Sequence, residues 1–204
     1  MSIVTYNNRS IANISAIPGA AKSLTHIKTI TASGDGTINF VNGSSDVTLD
    51  STFPIYIFKI ISLHPSGSDD LQFQCSTDGG SNYNTTVTSS YFRAYHNEGG
   101  SATALEYQAS KDQGQGTSYQ VISESGPDND HSTSGTLTLF NPSSTTFVKH
   151  WMSEFNFVNS SDYSMNTRGA GYFNTTSAIN AVSFKFASSN LDLGNIKLYG
   201  LKDS

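Results

Sequence analysis

The sequence predicts an all-β protein built as an antiparallel two-sheet sandwich. Three observations point there. Apolar residues recur with period two in short runs, clusters of turn-forming residues separate those runs, and no segment sustains the 3.6-residue apolar period of a helix. At 204 residues one such domain accounts for the chain, because all-β sandwiches often run to about 200–250 residues as a single unit. The expected organisation is an arm over residues 1–23 and one domain over residues 24–204.

The arm carries Ile3, Val4, Tyr6, Ile11, Ile14 and Ile17, apolar but not alternating, and Ile17-Pro18-Gly19 separates it from the first strand. These side chains, Ile3, Val4, Tyr6, Ile11 and Ile14 above all, are the expected interface with a neighbour. Ile38 and Phe40 then alternate with Thr37 and Asn39, and Leu71, Phe73 and Cys75 with Gln72 and Gln74. Leu137 and Leu139 alternate with Thr136 and Thr138, and Val182, Phe184 and Phe186 with Ser183 and Lys185. Each reads as a strand with one dry and one wet face. Cys75 shares the parity of Leu71 and Phe73, so a buried, inert thiol is expected. As the single cysteine it has no intrachain disulfide partner.

Ile55-Tyr56-Ile57-Phe58-Lys59-Ile60-Ile61-Ser62-Leu63 is apolar on both parities. It predicts a central strand covered on both sides by the arm, by loops or by another subunit. In Thr145–Val158 the residues Phe147, Trp151, Phe155 and Phe157 share one parity and Ser153 interrupts it, which predicts a bulge or bend there. Trp151 is expected in the core. Gly194-Asn195-Ile196-Lys197-Leu198-Tyr199-Gly200-Leu201 reads as a closing strand. Gly34-Asp35-Gly36, Asp78-Gly79-Gly80-Ser81, Asn97-Glu98-Gly99-Gly100, Gly126-Pro127-Asp128-Asn129-Asp130 and Asn141-Pro142-Ser143 supply the turns. About ten strands so separated suggest a jelly-roll-like sandwich.

Composition narrows the function. Charged residues make up 13% of the chain, against roughly 25% in an average soluble protein. Ser, Thr and Asn together contribute 71 residues, giving a surface solvated by hydroxyls and amides, as in extracellular and virion β-proteins. The net charge of −5 and eleven scattered Lys and Arg, no two adjacent, exclude the clustered cations that phosphate binding needs. No nucleic-acid partner and no membrane insertion are expected, since no apolar run approaches the roughly 18 residues of a span. Residues 1–6 offer neither the basic nor the apolar region of a signal peptide. Synthesis in a bacterial host cytoplasm with release inside a virion fits an extracellular-type surface without an export signal.

Motifs for chemistry are sparse. His26, His64, His96, His131 and His150 show no metal-site spacing, and their expected role is that of ordinary strand and loop histidines. Asp128-Asn129-Asp130 begins like a calcium loop, but Thr133 and Leu139 stand where an EF-hand needs Gly and Glu. A solvated turn is the plainer reading. Glu98, Glu106, Glu124 and Glu154 lie in no hydrolase motif, and no G-x-S-x-G is present. Tyr83, Tyr91 and Tyr95 offer either a sugar-stacking surface or ordinary strand packing. The Asn-x-Ser/Thr sequons at Asn8, Asn13, Asn42, Asn84, Asn159 and Asn174 arise from composition alone. No catalytic residue, metal or cofactor is assigned.

Cys75-Ser76-Thr77-Asp78-Gly79-Gly80-Ser81-Asn82-Tyr83-Asn84 resembles a hairpin of structural proteins from marine tailed bacteriophages. Leu139-Phe140-Asn141-Pro142-Ser143-Ser144 and the closing Gly194-x-Ile196-Lys197-Leu198-Tyr199-Gly200 do so too. The resemblance runs from about Leu24 to the end and rests on turns and strands. It implies a non-enzymatic virion component, a capsid decoration, head-appendage or tail-associated protein, and supplies no catalytic residues. Expected partners are further copies of the chain, with a homotrimer favoured, and major capsid or tail proteins. The alternative is a carbohydrate- or receptor-binding module that recognises a host surface glycan. A polysaccharide depolymerase is the third reading.

Overall fold

Alternation becomes twelve antiparallel strands in the computed structural model, which describes residues 24–202. In chain order they are β1 (Leu24–Thr31), β2 (Ile38–Val41), β3 (Ile55–Pro65), β4 (Asp69–Ser76), β5 (Val87–Asn97) and β6 (Thr103–Tyr107). The second half holds β7 (Gln120–Ser125), β8 (Thr133–Phe140), β9 (Lys149–Val158), β10 (Tyr163–Phe173), β11 (Ala181–Phe186) and β12 (Leu191–Leu201). The expected arm, with Ile3, Val4, Tyr6, Ile11 and Ile14, lies outside the described residues.

The strands form two sheets, ordered β1-β12-β3-β8-β9-β10-β5-β6 and β2-β11-β4-β7. Eight of them pair in a nested way: β1 with β12, β2 with β11, β3 with β8, and β4 with β7. The outermost strands in sequence meet, then the next inward, so the chain doubles back on itself as one long ribbon. The β9–β10 and β5–β6 pairs extend the larger sheet beyond β8.

Aromatic rings fill the space between the sheets. Phe73 of β4 meets Trp151 of β9, Phe173 of β10 and Phe184 of β11 at centroid distances of 5.0, 5.7 and 6.3 Å. Phe58 of β3 joins Phe40 and Phe184 at 5.3 and 5.2 Å. Cys75 is fully buried on the same face, as its parity predicts, and burial pushes its thiol pKa well up.

Among the described residues β3 is covered on one side: Tyr56, Phe58, Ile60 and Leu63 are buried, Ile61 is 39% exposed and Lys59 and Ser62 face solvent. The arm expected over the other side lies outside the described residues. Three expectations need correction. Gln74 and Ser183, expected on wet faces, are buried. The loop before β7 crosses the small sheet there. Gln74 Nε2 donates to the carbonyls of Thr117 and Ser118 at 3.2 and 2.9 Å, and the Tyr119 hydroxyl donates to Ser183 Oγ at 3.1 Å. β9 has no bulge at Ser153, and its register with β8 and β10 is continuous. Ser153 is small because the indole of Trp151 overlies this position, where the facing residue is Gly169; a Cβ on Gly169 would crowd that ring and Ser153 Oγ. Finally, Phe147 lies outside the strand and is exposed.

Lys149 is the one fully buried lysine among the described residues. Its ammonium donates to the carbonyls of Phe147 and Thr175 at 2.7 and 3.1 Å, and burial lowers its pKa. It ties the entry of β9 to the segment leaving β10.

Truncating Phe73 to Ala empties the centre of the aromatic layer. It is expected to cost about 3–5 kcal/mol, read as a shift in the denaturant midpoint at unchanged m-value. Cys75 is expected to stay unlabelled by a thiol reagent until denaturant is added; rapid stoichiometric labelling of the native protein contradicts its burial.

Candidate functional site

Two surfaces stand out from the hydroxyl-rich remainder. The first is the open outer face of the large sheet. Residues paired across antiparallel strands point to the same side, so the register sets out its rows. One row runs Leu24, Leu201, Ile55, Phe140 across β1, β12, β3 and β8. The next runs Tyr199, Ile57, Thr138, Met152, Ala170 across β12, β3, β8, β9 and β10. A third carries Thr136, Glu154, Arg168, Phe92 and Tyr107. Met152 is 57% and Phe92 40% exposed. Phe92, Phe140, Met152 and the threonines line a shallow depression, with the Arg168–Glu154 ion pair at 2.5 Å on its border.

The second surface is an acidic end of the sandwich. Asp70 and Glu124 face each other on β4 and β7, and the Lys111 ammonium sits 2.5 and 3.2 Å from their carboxylates. Burial works against this ammonium, but the two carboxylates outweigh it and raise its pKa. Neighbouring Asp69 is also pulled upward by burial. Donors from Ser188, Ser189 and Asp70 overcome that and hold its carboxyl below the ordinary range. Beyond Gly126 and Asn159, the loop after β7 places Asp128 and His131 beside Asp162 of the β9–β10 turn.

The residues singled out in the sequence scatter. Tyr91 is buried, Tyr95 packs edge-on to Tyr163 at 5.5 Å, and Tyr83 lies near Tyr119 in the loop after β4. They form no common sugar platform. Trp151 is in the core, as its parity predicts. Three of the four glutamates are held by cations: Glu106 by Arg93, Glu124 by Lys111 and Glu154 by Arg168. Asp70 and Glu124 converge with Lys111 between them, and Asp128 and Asp162 converge beside His131. Of the histidines, His131 alone joins a carboxylate cluster among the described residues. Its third member, Asp162, lies too far along the chain for a local spacing motif to reveal it.

The turn motifs prove structural. In the loop after β4, Asp78 accepts from the Ser76 hydroxyl at 2.6 Å and from the side-chain and backbone nitrogens of Asn82 at 2.7 and 2.9 Å. Gly79 and Gly80 supply the left-handed turn, at φ 73° and 83°. No protein-family model, curated protein or solved structure matches the chain.

The Ser76 hydroxyl and the Asn82 donors hold the exposed Asp78 carboxyl down to about 2 from its ordinary 3.8. A depressed carboxyl stabilises the fold above its unfolded value and loses that contribution as pH falls through the folded one. Asp78→Asn is therefore expected to lower the melting temperature at neutral pH. The gap to the wild type should close between about pH 4 and pH 2, and a gap constant down to pH 2 counts against this role.

Proposed function

We propose that the chain is a non-enzymatic structural protein of a tailed-bacteriophage virion. In this reading it is a capsid decoration, head-appendage or tail-associated protein, attached through residues 1–23 and assembled as a homo-oligomer, a trimer being favoured. The observation that carries the reading is the nested pairing of β1 to β4 with β12, β11, β8 and β7. Such nesting supports a jelly-roll winding, an architecture that recurs in viral capsid and lectin domains. The inference from winding to role is one of fold analogy, joined to the resemblance of the three turn and strand motifs.

The open face supports assembly. Met152, Ile57, Phe140, Tyr199 and Leu201 lie on two adjoining rows, bordered by a row that carries Lys197, Lys59, Glu154 and Arg168. Leu24, where the described chain begins, is exposed at the edge of that face, so residues 1–23 join the domain beside it. The second reading, a glycan- or receptor-binding module, draws on Phe92 and Tyr107. These exposed rings lie next to the planar, hydrogen-bonding Arg168–Glu154 pair. The depolymerase reading gains least: Lys111 stands between Asp70 and Glu124, and the other converging pair, Asp128 and Asp162, faces His131.

Light scattering on the full-length protein is expected to give a trimer, and Met152→Glu with Ile57→Glu to shift it toward monomer. Deleting residues 2–20 is expected to keep the β-rich circular dichroism and abolish incorporation into particles. A full-length protein that is monomeric both in solution and on the particle overturns the oligomer. Full occupancy by the truncated chain overturns the attachment role. Saturable capture on a glycan array, lost with Phe92→Ala, moves the assignment to the second reading.

A further inference from the structure

We propose that Asp128, His131 and Asp162 bind one divalent transition cation of the zinc class, joining the β7–β8 loop to the β9–β10 turn. The site is separate from the open sheet face and does not rest on the virion reading.

His131 Nε2 lies 3.9 Å from Asp128 Oδ2 and 3.6 Å from Asp162 Oδ1, and the three ligand atoms fall within 4.8 Å of one another. A tetrahedral centre with bonds of about 2.0–2.2 Å sets its ligands roughly 3.3–3.6 Å apart. Small rotations of the two carboxylates, both exposed on loops, close the set.

The histidine supplies the independent sign of a ligand. Its side chain is only 9% exposed, yet Nδ1 has no hydrogen-bond partner. Nδ1 is backed by Gly126, where a Cβ would collide with it. Nε2 is thus the ring's one outlet for its polarity, and it faces two carboxylate oxygens beyond hydrogen-bond reach. A ring nitrogen facing two carboxylates without a hydrogen bond is costly; a cation on Nε2 offsets that cost at Nε2, with the ring proton then on Nδ1.

The backbone beneath the ring is fixed. His64 Nδ1 donates to the His131 carbonyl at 2.6 Å, and His131 N donates to the Asp128 carbonyl at 2.8 Å. One imidazole with two carboxylates suits zinc, nickel or cobalt better than an all-oxygen calcium site. Three protein ligands leave a position open to solvent.

The test uses full-length protein stripped with a chelator and titrated calorimetrically with zinc chloride near pH 7.5. Asp162→Asn is the informative variant, because Asp162 occupies the left-handed region at φ 57° and Asn tolerates it. One equivalent is expected to bind saturably and raise the melting temperature. Asp162→Asn and Asp128→Asn should each weaken binding about tenfold or more at unchanged circular dichroism. Cobalt in place of zinc should give visible d–d bands that both variants lose. Absence of saturable zinc binding overturns the proposal and leaves the cluster as a contact between two loops. Equal binding by wild type and the Asp128→Asn/Asp162→Asn double variant overturns it too, since the ion then sits elsewhere.

Discussion

The layer of rings between the two sheets is the constraint on which the remaining features depend. Phe40, Phe73 and Phe184 rise from the small sheet, and Phe58, Trp151 and Phe173 descend from the large one. Most meet edge to face, an arrangement that gains quadrupole attraction beyond area burial. Rings of this size need small neighbours, which is why Ser153 and Gly169 face each other beside Trp151. The same layer fixes strand register. A slip of one residue would turn every ring to solvent, so the nested pairing is held by packing as much as by backbone hydrogen bonds.

The sheets differ in how their outer faces are treated. The small sheet is roofed by the segment before β7, whose Thr117 and Ser118 carbonyls and Tyr119 ring accommodate Gln74, Ser183 and Lys185. Gln74 and Ser183 are buried but hydrogen-bonded, which makes their burial tolerable. The large sheet has no such roof among the described residues. Ile57, Phe140, Met152 and Phe92 remain half-buried or exposed on its outer side. One sheet is finished by its own chain, and the other presents an open face among the described residues.

Local chemistry was legible in the sequence and long-range convergence was not. Alternation located β8 and β11 closely, and parity placed Cys75 and Trp151 correctly. The Asp78-Gly79-Gly80 turn was legible because positive φ selects glycine. Parity failed where a distant segment covered a face, as at Gln74 and Ser183. Ser153 looked like an irregularity only because the size of Trp151's neighbour cannot be read along one strand. The candidate cation site was invisible for the same reason: Asp128 and His131 are local, while Asp162 arrives from the next hairpin.

Beside the Arg93–Glu106 and Arg168–Glu154 pairs on the large sheet, charge chemistry gathers at the polar ends of the sandwich. Lys111 ties β4 to β7 through Asp70 and Glu124, and Asp69 grips the backbone of Ser188 and Ser189 ahead of β12. Asp128, His131 and Asp162 face one another across two further turns. Lys111 reinforces the existing β4–β7 pair from the loop before β7, whereas Asp69 and the Asp128–His131–Asp162 group join turns that share no ladder. A single charge pair at the surface contributes little, but several joining adjacent turns resist splaying of the hairpin tips. In a chain where charge is scarce, these contacts place electrostatics where the ring layer does not reach.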